Sequence, residues 1–370
     1  MTASIYLDYN ASAPLLPAAR DAMVAALDVV GNPSSVHRFG RDARRLVDHA
    51  RRQLAVRLAV DPQRVVFTSG ATEANAAALS GVAVTRRLVS AIEHDSVLAA
   101  DAVETFSVDG NGVADLASLE RALAEGDAPT LVSLQLVNNE TGVVQPVQAA
   151  AALARDHGAL IHCDAVQALG RLEVSPDALG VDLLTISSHK IGGPKGAGAL
   201  IVRDGLPLKP LLKGGGQERR RRAGTENVAG IAGFGAAVEA VNIDAWSRST
   251  GLRDRLETQL VAADAGAAIF GAHADRVGNT TCVAMPGVDA ETQVMAFDLA
   301  DIAVSAGSAC SSGKVASSHV LGAMGVPDAL ARCAIRVSLC LDTKAADIDR
   351  FVAVWGQIAD RGQQGRRAVA

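Results

Sequence analysis

From residue 64 to residue 202, short apolar runs alternate with helical segments, and most of these runs end in a polar cluster. Strands are expected over 64–68, 88–92, 131–137, 159–162, 181–186 and 199–202, with helices over 74–84 and 147–156 among them. Runs that are apolar at consecutive positions suit strands covered on both faces. The pattern therefore predicts an α/β fold built on a mainly parallel, doubly wound sheet flanked by helices. Ligands of such sheets bind outside the carboxyl ends of the strands. The polar residues placed there are Thr72, His94, Asn139, Asp164, Gln167, Ser187, His189 and Lys190. Topology predicts that they share one crevice.

The rest of the chain differs in texture. Residues 1–12 read as extended, 17–30 and 40–60 as amphipathic helices, and a long helix starts near 228. After about residue 250 an α+β pattern takes over. It has helices over 252–263, 290–299 and 345–358, strands over 281–285, 302–304 and 334–339, a Ser/Gly-rich loop over 305–318 and a polar tail from Asp360 expected to fray. The expectation is a large domain, 13–250, and a smaller α+β domain made of 1–12 and 251–370. Only 3% of residues are aromatic, so Ala, Val and Leu must build the core. A net charge of −5 gives no electrostatic reason to expect nucleic acid or an acidic membrane. No apolar stretch is long enough to span a bilayer, and the first residues lack a signal peptide's pattern, so a cytoplasmic location is expected. The five cysteines form no C-x-x-C pair, so no metal site is expected and the thiols should be free.

Particular residues suggest chemistry. Lys190 follows a buried strand and precedes Gly192-Gly193. It can be an ordinary loop lysine, or an amine whose pKa is depressed enough for Schiff-base chemistry. Ser69-Gly70-Ala71-Thr72-Glu73 opens a helix directly after a strand. That is an ordinary helix start or a site for a single phosphate, since it lacks the glycine spacing of nucleotide loops. Asp164 ends an apolar strand and needs a partner, either a structural hydrogen bond or a pyridinium nitrogen. Gln167 could reach a phenolic oxygen of the same ring, and His94 could stack on it, act as a base, or simply be a satisfied histidine. Together these are the requirements of pyridoxal phosphate. Cys310, in Gly307-Ser308-Ala309-Cys310-Ser311-Ser312-Gly313, has no apolar pattern around it. It is a chance surface thiol or a nucleophile that moves in and out of the site. Arg336, mid-strand among apolar residues, needs an anion: a structural ion pair or a substrate carboxylate.

With these motifs in place, the chain resembles the cysteine desulfurases of the NifS/IscS type, among the fold-type I (aspartate aminotransferase-like) pyridoxal phosphate enzymes. The likeness runs from Tyr6-Leu7-Asp8-Tyr9-Asn10-Ala11 to the Arg336 strand. It rests on Thr68-Ser69-Gly70-Ala71-Thr72-Glu73, Glu93-His94, Asn138-Asn139-Glu140-Thr141-Gly142, Asp164-Ala165-Val166-Gln167, Ser188-His189-Lys190, the Gly214–Thr225 loop and Gly307-Ser308-Ala309-Cys310. The cysteine's context is unlike that of the SufS class.

The resemblance implies a seven-stranded sheet and conversion of L-cysteine to L-alanine, with a persulfide formed on Cys310. Lys190 would hold the cofactor and move protons, assisted by His94 stacked on the ring. Asp164 would take the ring nitrogen and Gln167 the ring hydroxyl. Ala71, Thr72, Ser187 and His189 would bind phosphate, joined by Thr225 from the other subunit of a homodimer. Asn139 and Arg336 would hold the substrate carboxylate. An iron–sulfur scaffold or another persulfide acceptor would take the sulfur. The alternatives are a selenocysteine lyase or other β-eliminating lyase, and a non-catalytic scaffold homologue. Cys340 stands where the family usually has glycine; on the strand reading it shares a face with Arg336, as a buried thiol or a second sulfur-handling group. Arg219 to Arg222 form a solvated or dimer-interface run, or a patch for docking an acceptor.

Overall fold

The computed structural model describes residues 4–126, 128–307 and 317–369, with side chains to 361. Its strands, in chain order, are β1 (Ile5–Tyr6), β2 (Val65–Thr68), β3 (Arg86–Ser90), β4 (Val103–Phe106), β5 (Thr130–Ser133), β6 (Leu160–Asp164), β7 (Leu183–Ser187), β8 (Gly198–Val202), β9 (Ala268–Phe270), β10 (Thr280–Ala284), β11 (Ile302–Ala303), β12 (Ser305–Ala306) and β13 (Ala334–Ser338).

A seven-stranded sheet runs in the order β2-β8-β7-β6-β5-β3-β4. Its pairings are parallel except that β8 runs against both β7 and β2. The strands are buried because each face meets helices. Along β7, Leu184 and Ile186 enter one core while Leu183 enters the other, the period-two alternation of a strand covered on both sides. Helices Arg38–Leu58 and Val228–Glu239 supply the first face. Helix Ala71–Gly81 supplies the second, through Ala74, Ala77 and Ala78. Its small residues let it lie close to the sheet, which aims its first turn at the ends of the central strands.

Two elements were not legible as apolar runs. Strand β4 reads Val-Glu-Thr-Phe and buries only Phe106, as a sheet edge permits; its exposed Glu104 pairs with Arg86 at 2.6 Å. Strand β9 is only three residues long. A third difference is at the end: the helix that begins at Ala345 continues through Asp360 to Val369.

The α+β part holds an antiparallel sheet, β12-β13-β10-β9. β1 pairs in parallel with β11, so the extended N-terminal segment is part of this layer. Leu7, Phe297, Phe351 and Trp355 are fully buried in one core there, and the two phenylalanine rings stack at 4.4 Å. Among the described residues no single helix is long and apolar enough to cross a membrane.

Leu7 joins the first residues of the chain to that core. Leu7→Ala is expected to lower the unfolding free energy by about 2–5 kcal/mol, read from urea unfolding curves.

Candidate active site

The carboxyl ends of β5, β6 and β7, the start of helix Ala71–Gly81 and the extended N-terminal segment enclose a cleft of about 620 Å³. Ala71, Thr72, His94, Asn139, Asp164, Gln167, Ser187, His189, Lys190 and Arg336 all line it. Thr225 is exposed and is not among the lining residues of this single chain. Cys310 lies outside the described residues; Gly307, just before that segment, sits against a carboxylate oxygen of Glu140.

Lys190 follows β7 on a short 3-10 turn. Its Nζ donates to the carbonyls of Asn10 at 2.5 Å and Ala11 at 3.0 Å. Burial, then the charges of Arg336 and Arg171, pull the amine down to about 7, the setting suspected from its position after a buried strand. Beside it, His189 is held down to about 4 by burial and by Lys190 and Lys195, so its imidazole is neutral at neutral pH.

Asp164 closes β6. Its Oδ1 accepts from the Val166 N–H at 2.9 Å and its Oδ2 from Asn75 Nδ2 at 2.8 Å. The same Asn75 amide donates to Ser96 Oγ at 2.9 Å, and Ser96 N–H donates to His94 Nδ1 at 3.0 Å. Because Nδ1 accepts there, a neutral His94 carries its proton on Nε2. Asn75 thus ties the carboxylate to the imidazole. Asn75 is fully buried within an alanine-rich helix, and its role comes from partners distant in the sequence.

Arg336 has the anionic partner its position demanded. Its Nη2 meets Asp8 at 2.8 Å, and its Nη1 donates to the Asn139 carbonyl at 3.1 Å. Its Nε is buried without a partner.

The geometry accommodates pyridoxal phosphate. No side chain caps the helix that starts at Ala71, so its first N–H groups remain available to an anion. Ser187 Oγ, on the cleft wall, is buried and unpartnered. An amine near neutrality, a fixed carboxylate and a fixed imidazole line the same cleft. The donors for a phosphate and the groups for an aldehyde-bearing pyridine ring are therefore present in one place.

Two other features are settled by contacts. Strand β13 ends at Ser338, so Cys340 lies beyond the strand rather than on Arg336's face. It is buried among Tyr9, Ala13 and Trp246, and its thiol donates to the Tyr6 carbonyl at 3.2 Å. Burial and nearby acids push that thiol up to about 12, which keeps it from acting as a thiolate. The arginine run is partly anchored to its own chain. Arg219 donates to the Gln63 carbonyl at 3.0 Å and Arg222 pairs with Glu73 at 2.9 Å.

The fold is that of the fold-type I pyridoxal phosphate enzymes. Residues 5–351 match the class-V aminotransferase family, and the chain belongs to it. A cysteine desulfurase of Cereibacter sphaeroides is 43% identical, with 96% of each chain covered. A NifS-like protein from Rickettsia africae, solved by X-ray, superposes with a TM-score of 0.89 at 35% identity, covering 96% of this chain and 99% of that one. A structure of SspA in complex with cysteine superposes at 0.80 with 30% identity, covering 91% and 99%.

Beneath the cleft, His162 is fully buried, with Nδ1 at 2.9 Å from Ser133 Oγ and Nε2 at 3.0 Å from Thr185 Oγ1. Burial holds it down to about 4, against an ordinary 6.5. Such a neutral histidine contributes stability that is complete above pH 6.5 and is lost as pH falls toward 4, because the unfolded chain takes up the proton first. His162→Gln is expected to flatten the decline in unfolding free energy across that window, measured by urea unfolding at stepped pH.

Proposed function

We propose that this chain is a pyridoxal phosphate-dependent cysteine desulfurase that converts L-cysteine to L-alanine and carries the sulfur away on Cys310. The observation that supports this most is the convergence in one cleft of the expected site residues other than Cys310 and Thr225. The cysteine bound in SspA and the activity named for the Cereibacter relative supply the substrate.

In this reading Lys190 would hold the cofactor by its aldehyde, Asp164 would meet the ring nitrogen, Gln167 the ring hydroxyl and His94 the ring face. Ala71, Thr72, Ser187 and His189 would hold the phosphate, with Thr225 of a second copy. Bound there, the cofactor supplies an electron sink for charge developing on the substrate. Arg336 and Asn139 hold the substrate carboxylate and so fix where its sulfur points. An amine near pH 7 can both give and take a proton at neutral pH, which suits Lys190 Nζ for transfers at the substrate's α-carbon. The Cys310 thiolate attacks the substrate sulfur. The new S–S bond forms as the C–S bond breaks, the electron pair stays with the carbon fragment, and a proton completes the methyl group of alanine. The persulfide then passes to an acceptor such as an iron–sulfur scaffold. A homodimer and a reducing, cytoplasmic setting accord with Thr225's exposure and with the need for a free thiol. The division at residues 13–250 places the cofactor groups in the larger part and Cys310 in the smaller.

Incubation with cysteine and a reductant, measuring alanine and sulfide, tests the reading. Cys310→Ala is expected to keep the yellow cofactor absorbance and lose persulfide formation; normal sulfur transfer by this variant would sink the mechanism and favour a β-eliminating lyase. Lys190→Ala is expected to slow alanine formation by about 10²–10⁴-fold.

A further inference from the structure

Arg171 is a buried cation, and among the described residues no carboxylate pairs with it. It follows Gly170, whose φ of +88° lies in the left-handed region that favours glycine. The guanidinium lies 5.5 Å from the Tyr9 ring centroid and 5.6 Å from that of Trp246. Its Nη1 donates to Gln167 Oε1 at 2.8 Å and also to the Gln167 carbonyl; its Nη2 donates to Asn10 Oδ1 at 3.1 Å. Burial draws it down only to about 10, so it stays charged at neutral pH. Burying a cation against neutral oxygens and aromatic faces is costly, and a plain packing residue would avoid the cost.

A guanidinium has only donors, so the atom of Gln167 facing it must be the oxygen. The amide nitrogen is then turned the other way, where it donates to the Asn10 carbonyl at 3.0 Å. We propose that Arg171 is a positioning residue that fixes the Gln167 amide with its nitrogen, not its oxygen, toward the cofactor site, and holds Asn10 in register with Lys190. Rotation of the amide would set Oε1 against the Asn10 carbonyl and the Gln167 nitrogen against the guanidinium, two like-with-like contacts. This deepens the proposed function and rests on Gln167 meeting the cofactor's ring hydroxyl. It has a second consequence, because Arg171 also adds its charge to the field at Lys190. The charged groups facing that amine are Arg336 and Arg171, which disfavour its protonation, and Asp164 and Asp8, which favour it.

Two probes separate a positioning role from a structural one. The first is the affinity of the full-length protein for pyridoxal phosphate relative to the analogue lacking the ring hydroxyl. The wild type is expected to prefer the natural cofactor by about tenfold, roughly one hydrogen bond. Gln167→Ala should bring that ratio near one; if it does not, the Gln167 reading fails and this inference with it. Given that control, Arg171→Met should also collapse the ratio, whereas Arg171→Lys, which keeps a donor and a charge, should restore most of it. Equal weakening of both ligands by Arg171→Met, with the ratio unchanged, overturns the proposal. Should Arg171→Met fail to fold, Arg171→Gln serves, because its amide can offer either atom to Gln167 and the ratio should fall likewise. The second probe is the pH midpoint of Lys190, read by NMR of 13C-methylated lysines in the cofactor-free chain. It should rise in Arg171→Met and stay in place in Arg171→Lys; no rise in Arg171→Met counts against the charge contribution.

Discussion

The backbone carbonyl of Asn10 receives both Lys190 Nζ and Gln167 Nε2, and much of the cleft is arranged by that one acceptor. Asn10 is 2% exposed, and its remaining polar atoms are engaged as well. Its N–H donates to Ser338 Oγ, its Nδ2 to the Asn139 carbonyl and Thr280 Oγ1, and its Oδ1 accepts from Arg171 and Asn279. Ser338 and Thr280 belong to the antiparallel sheet, while Gln167 and Lys190 follow β6 and β7 of the seven-stranded one. A buried polar group without partners costs free energy, so a knot this complete holds the two layers in a single relative position.

Why the knot forms here follows from the chain's first turn of structure. The β1–β11 pairing and the burial of Leu7 fix the N-terminal segment to the small sheet. The next residue, Asp8, reaches Arg336, and Asn10, two further on, enters the cleft. The same few residues therefore connect the Lys190 amine, the Gln167 amide and Arg336.

Much of this was legible beforehand for a simple reason. Strands covered on both faces leave continuous apolar runs, and a parallel sheet puts the residues after those runs at one edge. Asp164, His94 and Lys190 could be placed together on that basis alone. What stayed hidden was relational. Asn75 and Arg171 gain their meaning from contacts across 89 and 161 residues, which no local pattern records. Strand β4 was hidden because its edge position lets Glu104 face water. Cys340 continues the strand's alternation in the sequence, but the chain leaves the sheet after Ser338 and turns the thiol toward Tyr6.

The pairing of Arg336 with Asp8 means that the guanidinium's charge is already matched from within the chain. An anion approaching this side chain meets a carboxylate in place, with Nε the guanidinium atom left without a partner. Selection then falls on shape and reach: an anion that cannot also satisfy what surrounds Asp8 offers nothing the protein does not already have. Asp8 is an internal competitor that weak or poorly fitting acids must outdo.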